Sequence, residues 1–373
     1  MRTIIFILEK EFKQIFRNKI MIPIIFVVPF VQLLILVHAA TFEIKNIDLL
    51  VVDNDFSSTS RQIISKFKGS PFFNLVESEF SVKKAEESLY NDKADVVLVI
   101  PSGFEKKLIK ENKSDLQLLV NAINGVVAGL SNYYASAIIM SVNKDLIVEM
   151  YGVSKNSSSF KQINIEYSHW YNPQLNYKTY MVPGILVLLV TIIGLYLSGM
   201  NLVREKEVGT IEQINVTPIK KYQFIIGKLV PFWIIAMFEL AFGLVLGKLL
   251  FDIPIIGNLF LVFGVAAIYL LVILGIGLFI STITENQLQA MFFAFFFTLI
   301  FILMSGLFTS VESMPKWGQF INKINPIAYF IKVMRMILLK GSGFKDIIPE
   351  ISALLFYAFS ILGLAIWRYR KTT

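Results

Sequence analysis

The sequence predicts an α-helical polytopic membrane protein with one α/β domain set into it outside the membrane. Three observations predict this. Hydrophobic residues are 55% of the 373 and charged residues 17%, with mean hydropathy +0.65, whereas soluble domains carry about a quarter charged residues. Apolar runs recur at close to the ~20 residues that cross ~30 Å of hydrocarbon. One long stretch of ordinary polarity, 43–175, interrupts them and alternates strand-like with helix-like patterns.

In residues 1–19, Ile4, Ile5, Ile7, Leu8, Phe12, Ile15 and Phe16 recur near helical spacing, with Glu9, Lys10, Lys13, Arg17 and Lys19 between them. This predicts a cytoplasmic interfacial helix. Its amphipathic character argues against a cleaved signal peptide. Residues 20–40 read as transmembrane helix 1, with Pro23 and Pro29 inside it; neighbouring helices can accommodate such prolines.

Residues 43–175 read as the extracytoplasmic α/β domain. The runs IDLLVVDND, FFNLVES, ADVVLVIP and DLQLLVNAING are strand-like. Helical patterns separate them: one capped by Ser58-Thr59-Ser60 and reaching Phe67, then VKKAEESLYND, then GFEKKLIKEN. A long helix over 126–150 follows. Asn132, Asn143, Lys144 and Asp145 along it argue against a membrane span. The Ser- and Asn-rich 153–160 reads as a loop.

Residues 180–373 supply transmembrane helices 2–6, at about 180–200, 226–250, 258–281, 289–309 and 347–367. Six crossings place both termini on one side. The basic residues at 2–19, at 204–228 and at 368–371 make that side cytoplasmic. One segment disagrees: 310–346 is expected outside yet carries Lys316, Lys323, Lys332, Arg335, Lys340 and Lys345.

Other classes are excluded or disfavoured. With no cysteine and two distant histidines, His38 and His169, neither a disulfide framework nor a thiolate or zinc site is expected. The net charge of +8 follows the positive-inside pattern rather than a nucleic-acid surface. No G-x-x-x-x-G-K-[ST] occurs, so the chain is expected to hold no ATP through such a loop. No serine–histidine, metal-ligand or carboxylate-pair signature points to an enzyme.

Four features carry functional information. In 201–225, the charges Arg204, Glu205, Lys206 and Glu207 lead into Gly209 and Thr210, then Glu212 and Pro218. Gly209 can end the membrane helix, Thr210 can cap a short helix and Pro218 can stop it; the plain alternative is a solvated loop. Glu239 lies near the middle of helix 3, where a carboxylate must face the bundle or water. It could sense protons or contact a cationic substrate, or it could be a protonated packing residue. Gly243 and Gly247 suit close helix packing. Phe292, Phe293, Phe295, Phe296, Phe297 and Phe301 could line a hydrophobic path, though facing lipid or packing between helices is the commoner use.

The stretch REKE-x-GT-x-E followed by Pro218 resembles the cytoplasmic loop of ATP-binding-cassette transporter permeases of the type-2 exporter class. A second block resembles the same family through Ser305-Gly306, Glu312, Met314, Pro315, Trp317, Asn325, Pro326, Tyr329, Arg335 and Gly341. The likeness covers essentially the whole chain and fits the long-ectodomain branch. It implies that 201–225 is a coupling loop docking on a separate ATPase through Arg204, Glu205, Lys206, Glu207, Gly209, Thr210, Glu212 and Pro218. It implies that 310–346 is a re-entrant segment in the outer leaflet, which would explain its basic residues.

The implied function is the permease subunit of an exporter that expels an amphipathic, drug-like or lipid-like molecule, in a bacterial inner membrane. No cofactor is expected on this chain; ATP and magnesium would sit on the ATPase. The implied partners are cytoplasmic ATPase subunits, a second permease chain as homodimer or heterodimer, membrane lipid and, optionally, a periplasmic membrane-fusion adaptor, with no nucleic acid. The rival from another class is a mechanotransmission or signalling protein that drives its external domain; six spans exceed what that relay needs.

Overall fold

Helix α1 (Arg2–Arg17) carries an inner stripe of Ile4, Leu8, Glu11 and Ile15, at the three- and four-residue spacing of one helix face. Glu11 and Ile15 are fully buried. The computed structural model describes residues 2–19, 21–39, 46–123, 125–150, 170–173, 176–210 and 219–368. Internal contacts divide the chain into two units, Met1–Thr41 with Tyr167–Thr373, and Phe42–Glu166.

The first unit continues with α2 (Met21–Ala39) and resumes after the second. Taking the chain in order, the second unit runs β1 (Ile47–Asp53), α3 (Ser58–Lys68), β2 (Phe73–Glu79), α4 (Val82–Tyr90), β3 (Val96–Ile100), α5 (Phe104–Glu111), β4 (Gln117–Val120) and α6 (Gly125–Met150). The strand order is β2-β1-β3-β4. β1 pairs in parallel with β2 and β3, and β4 closes the sheet antiparallel to β3. β1 and β3 are continuous apolar runs because both sheet faces are covered there. Ile47, Leu49 and Val51 meet Ile63 and Phe67 of α3 and Phe104 of α5 on one face. Leu50, Val52 and Val97 meet Ala85 of α4 on the other.

Two helix starts in this unit hold each other. The cap of α3 is Ser57, one residue before the predicted cluster, and its Oγ accepts from Ser60 N at 3.0 Å. Glu105 of α5 accepts from Ser58 Oγ at 2.6 Å, Thr59 N at 3.1 Å and Thr59 Oγ1 at 2.7 Å. The Glu105 amide in turn donates to Asp55, just before α3, at 3.1 Å. These donors hold the Glu105 carboxyl below the usual carboxylate range, the Ser58 hydroxyl most, then Thr59.

The rest of the first unit is α7 (Tyr177–Glu207), α8 (Lys221–Phe251), α9 (Leu259–Ile283), α10 (Gln287–Met304), α11 (Lys316–Asn322), α12 (Pro326–Lys340) and α13 (Ile348–Arg368). Among the described residues, five helices are long and apolar enough to cross a membrane: α7, α8, α9, α10 and Phe344–Arg368. In α2, expected as the first span, the apolar stretch is Ile25–His38, shorter than the other five. α7 is the hub, with 89% of its apolar window buried against α8, α9, α10 and α12. Thr191 of α7 is hydrogen-bonded to the fully buried Tyr269 of α9, whose ring stacks on Phe330 of α12 at 4.3 Å. Gly243 and Gly247 of α8 lie against Leu186 and Val182 of α7. Four helices begin on an asparagine cap: Asn176, Asn258, Asn286 and Asn325 each accept a backbone N–H of the first turn.

The bundle has two distinct ends. At one, the 251–257 loop meets α12 through Ile256 N and Leu338 O at 3.0 Å. His38 lies 5.8 Å from the Phe251 ring, and Lys340 Nζ lies 5.7 Å from the Tyr171 ring. At the other end are α1, 204–210, 219–228 and the α9–α10 turn.

Candidate functional site

The charges of 204–207 lie within helix. They are the last turn of α7, which runs past the predicted end near 200 and is stopped by Gly209 at φ +75°. Glu205 points inward and is 5% exposed. Its Oε1 lies 2.7 Å from Lys228 Nζ of α8 and 2.9 Å from Lys10 Nζ of α1. Lys228 also lies 2.7 Å from Glu11 Oε1 and donates to Asn201 Oδ1 at 2.9 Å. Lys10 is 3.6 Å from Glu11. Thr210 donates to the second oxygen of Glu205. Two carboxylates and two ammonium groups thus neutralise one another where α1, α7 and α8 meet, next to the segment that leads into 211–218. Burial alone would lower the Lys10 pKa; the Glu205 and Glu11 carboxylates outweigh that and raise it.

The next two residues of α7 hold the α9–α10 turn. Lys206 Nζ donates to the Thr284 carbonyl at 3.2 Å and to the Ser281 carbonyl, at the C-terminus of α9. Glu207 accepts from the Gln287 amide at 2.7 Å and from the Gln287 side chain, at the N-terminus of α10. A cation on terminal carbonyls and a carboxylate on terminal amides both suit the helix dipole. Arg204 is exposed and outside any ion pair among the described residues. Glu212 and Pro218, with the short helix expected from Thr210, lie outside the described residues, as do 153–160 and His169.

At the opposite end, the second motif block builds the 310–346 segment. A short turn at Val311–Ser313 holds the exposed Glu312 and leads through Met314 and Pro315 into α11. Asn325 caps α12, with Pro326 at its first position, and donates to the Phe301 carbonyl at 2.7 Å. Arg335 sits 3.7 Å over the Tyr180 ring and donates to the carbonyls of Tyr180 at 3.2 Å and Gly306 at 2.9 Å. Lys332 pairs with the buried Glu350 at 2.8 Å. Two of the six basic residues that conflict with the positive-inside count, Lys332 and Arg335, are therefore engaged by partners within the fold.

Glu239 lies inside the bundle, 3% exposed, and neither carboxylate oxygen has a hydrogen-bond partner among the described residues. Of the aromatic run on α10, Phe292, Phe293, Phe295 and Phe296 are exposed, while Phe297 and Phe301 pack against the core.

Sequence reasoning missed Glu11 and Asn201, and counted Lys10 and Lys228 only as interfacial or inside charges. Glu11 did leave a signal, since it interrupts the apolar stripe Ile4, Leu8, Ile15. Lys228, within the apolar start of a span, needed a carboxylate in the same way.

Residues 19–367 match the ABC-2 family transporter protein family. The chain belongs to that family. This ABC-2 transporter is 30% identical over 337 residues to the probable multidrug ABC transporter permease YbhR of Escherichia coli (strain K12), covering 90% of each chain. It is 24% identical over 358 residues to the probable multidrug ABC transporter permease YbhS of the same strain, covering 95% of this chain and 93% of that one. It is 25% identical over 327 residues to that strain's inner membrane transport permease YhhJ, covering 87% and 85%. The ABC-2 chain is thus a multi-pass ABC transporter permease, a transporter subunit rather than an enzyme.

Proposed function

We propose that this permease exports an amphipathic, drug-like or lipid-like molecule, driven by separate ATPase subunits that hold ATP and magnesium. Two permease chains pair over two ATPases. The end carrying α1 and 204–228 faces the cytoplasm; the end carrying 251–257 and 310–346, with the α/β unit, lies outside. The multidrug wording belongs to the relatives and is carried over here as part of the proposal.

The observation that supports coupling is the buried network Glu11–Lys228–Glu205–Lys10. A force applied at 211–218 reaches Thr210 and Glu205, and the network passes it to α1, α7 and α8 together. Breaking a buried pair by removing one partner costs about 3–5 kcal/mol, so the three helix ends move as one body. Coupling then needs only that the ATPase dock differently on two arrangements of that body. Glu239, held inside the bundle, is proposed as the polar contact along the path.

The test is co-purification of the partner ATPase and substrate-stimulated ATP hydrolysis. Glu212→Lys detaches the ATPase or abolishes stimulation, while Asp252→Lys at the opposite end does neither. Normal complex formation and stimulation in Glu205→Lys, Glu207→Lys and Glu212→Lys alike would reduce the loop to a connector. Cysteines at Ser57 and Ser157 react with an impermeant thiol reagent in outer-membrane-permeabilised cells, and one at Asn215 does not; the reverse pattern overturns the orientation.

A further inference from the structure

α7 is buried almost all round, but one stripe stays open: Ile192, Tyr196, Met200 and Arg204, spaced by four. At about 1.5 Å per residue the stripe is about 18 Å long. It forms one wall of a cavity of about 980 Å³, closed by the last turn of α1 and the following Lys19 on one side and by the start of α10 on the other. That volume is in the range of small-molecule sites.

The lining is polarised. Arg17, Lys19 and Arg204 all line the cavity, and among the described residues no acidic side chain does. None of the three cations is in an ion pair among the described residues. The nearby carboxylates are already engaged, Glu205 by Lys228 and Lys10, and Glu207 by Gln287. Away from the cations the wall is Tyr196 and Met200 of α7 and Met291 of α10. Methionine and tyrosine give an adaptable apolar surface.

We infer that this cavity binds an anionic amphiphile, with its headgroup at Arg17, Lys19 and Arg204 and its apolar chain along Tyr196, Met200 and Met291. The inference rests on the exporter reading and narrows its substrate class to one charge type. Neutral or cationic amphiphiles leave the three lining cations uncompensated. A second copy of the chain brought up to this face about a two-fold axis presents the same patch, which adds cations and no carboxylate from the lining.

The full chain in phosphatidylcholine nanodiscs tests this with two diazirine-bearing alkyl probes of equal length, one with a carboxylate head and one with a quaternary ammonium head. Mass spectrometry maps the labelled residues. The carboxylate probe is expected to label α7 between Tyr196 and Met200 and α10 near Met291, and the ammonium probe is not. Arg17→Gln with Lys19→Gln raises the half-saturating concentration of the carboxylate probe by about a hundredfold, the size of two lost charged contacts. Met200→Trp obstructs the apolar wall where the chain would lie and lowers labelling with the cations intact, so a folding defect in the rim variant leaves the test standing. Adding phosphatidylglycerol separates the sources: loss of label identifies an anionic phospholipid as occupant, and retention identifies a free amphiphile.

Equal labelling by both probes, or labelling indifferent to the rim substitutions, overturns the inference. So does a disulfide between Met200→Cys residues of two copies that forms at the expense of label, because a second chain then fills the face. Specific labelling that persists without ATP-driven release in the presence of the ATPase keeps the site and sinks the exporter reading instead.

Discussion

Lys228 of α8 and Glu11 of α1 form a 2.7 Å ion pair with 3% and 0% of the two residues exposed. The amphipathic helix is therefore anchored to the membrane bundle by charge as well as by its apolar stripe. Ile7 of the same helix lies against Gly227, the neighbour of Lys228, so close that a Cβ there would displace it.

Lys228→Met should destabilise the chain by about 3–5 kcal/mol, because it leaves the buried Glu11 without its 2.7 Å partner and removes one of the two ammonium groups on Glu205. Adding Glu11→Leu should recover part of that loss, since Glu205 keeps Lys10. Thermal unfolding of the two variants in detergent measures this. A double variant less stable than Lys228→Met would mean that Glu11 is held by something other than Lys228.

Glu207→Ala should loosen the α9–α10 turn, with a cost of about 1 kcal/mol for a lost cap at the start of α10. Hydrogen exchange at the first-turn amides of α10 should rise while those of α8 stay protected. Unchanged exchange at Gln287 would show that Glu207 does not hold that helix end.

Glu105 supplies an acid-sensitive contact. Its folded-state pKa is depressed by the Ser58 and Thr59 donors. Its contribution is thus fully present above the unfolded-state value of about 4.3 and is lost as pH falls through the folded-state value. Protection of the Thr59 amide should decline over that acid range. In Glu105→Ala it should already be low at neutral pH, with about 1 kcal/mol of stability lost. Protection that is flat with pH and intact in the variant would contradict the assignment.

Glu239→Leu should stabilise the bundle, because an unpartnered buried carboxyl is replaced by an apolar group; leaving such a group unsatisfied costs about 1–3 kcal/mol. Transport should fall if the carboxyl contacts the path. Higher thermal stability with full transport would make Glu239 a packing residue only, and lower stability would reveal a partner that holds it.

Much of the fold was legible because local signals coincide with tertiary demands. β1 and β3 are apolar on both faces, and both faces are covered. Gly209 stands where α7 must turn. The span limits were less legible. α7 continues as helix to Glu207 because Lys206 and Glu207 find helix ends to bind, and hydropathy does not register such partners. In the coupling segment the sequence marks Glu205 and Glu207 as charged and clustered, a pattern that suits an exposed docking surface.

By itself, then, the sequence determined the membrane class, the α/β alternation of the inserted unit and the two motif blocks, because hydrophobic length, periodicity and turn chemistry are properties of neighbouring residues. Tertiary structure alone decided which charges face each other. Glu11, Glu205 and Lys228 come from three segments of the chain, and each is tolerable in a buried position only because the others are there. Arg17, Lys19 and Arg204 look no different in sequence, yet they line one cavity with no carboxylate among the described residues of its lining. Coulomb energy depends on distance in space, and the packing of α1, α7, α8 and α10 sets that distance.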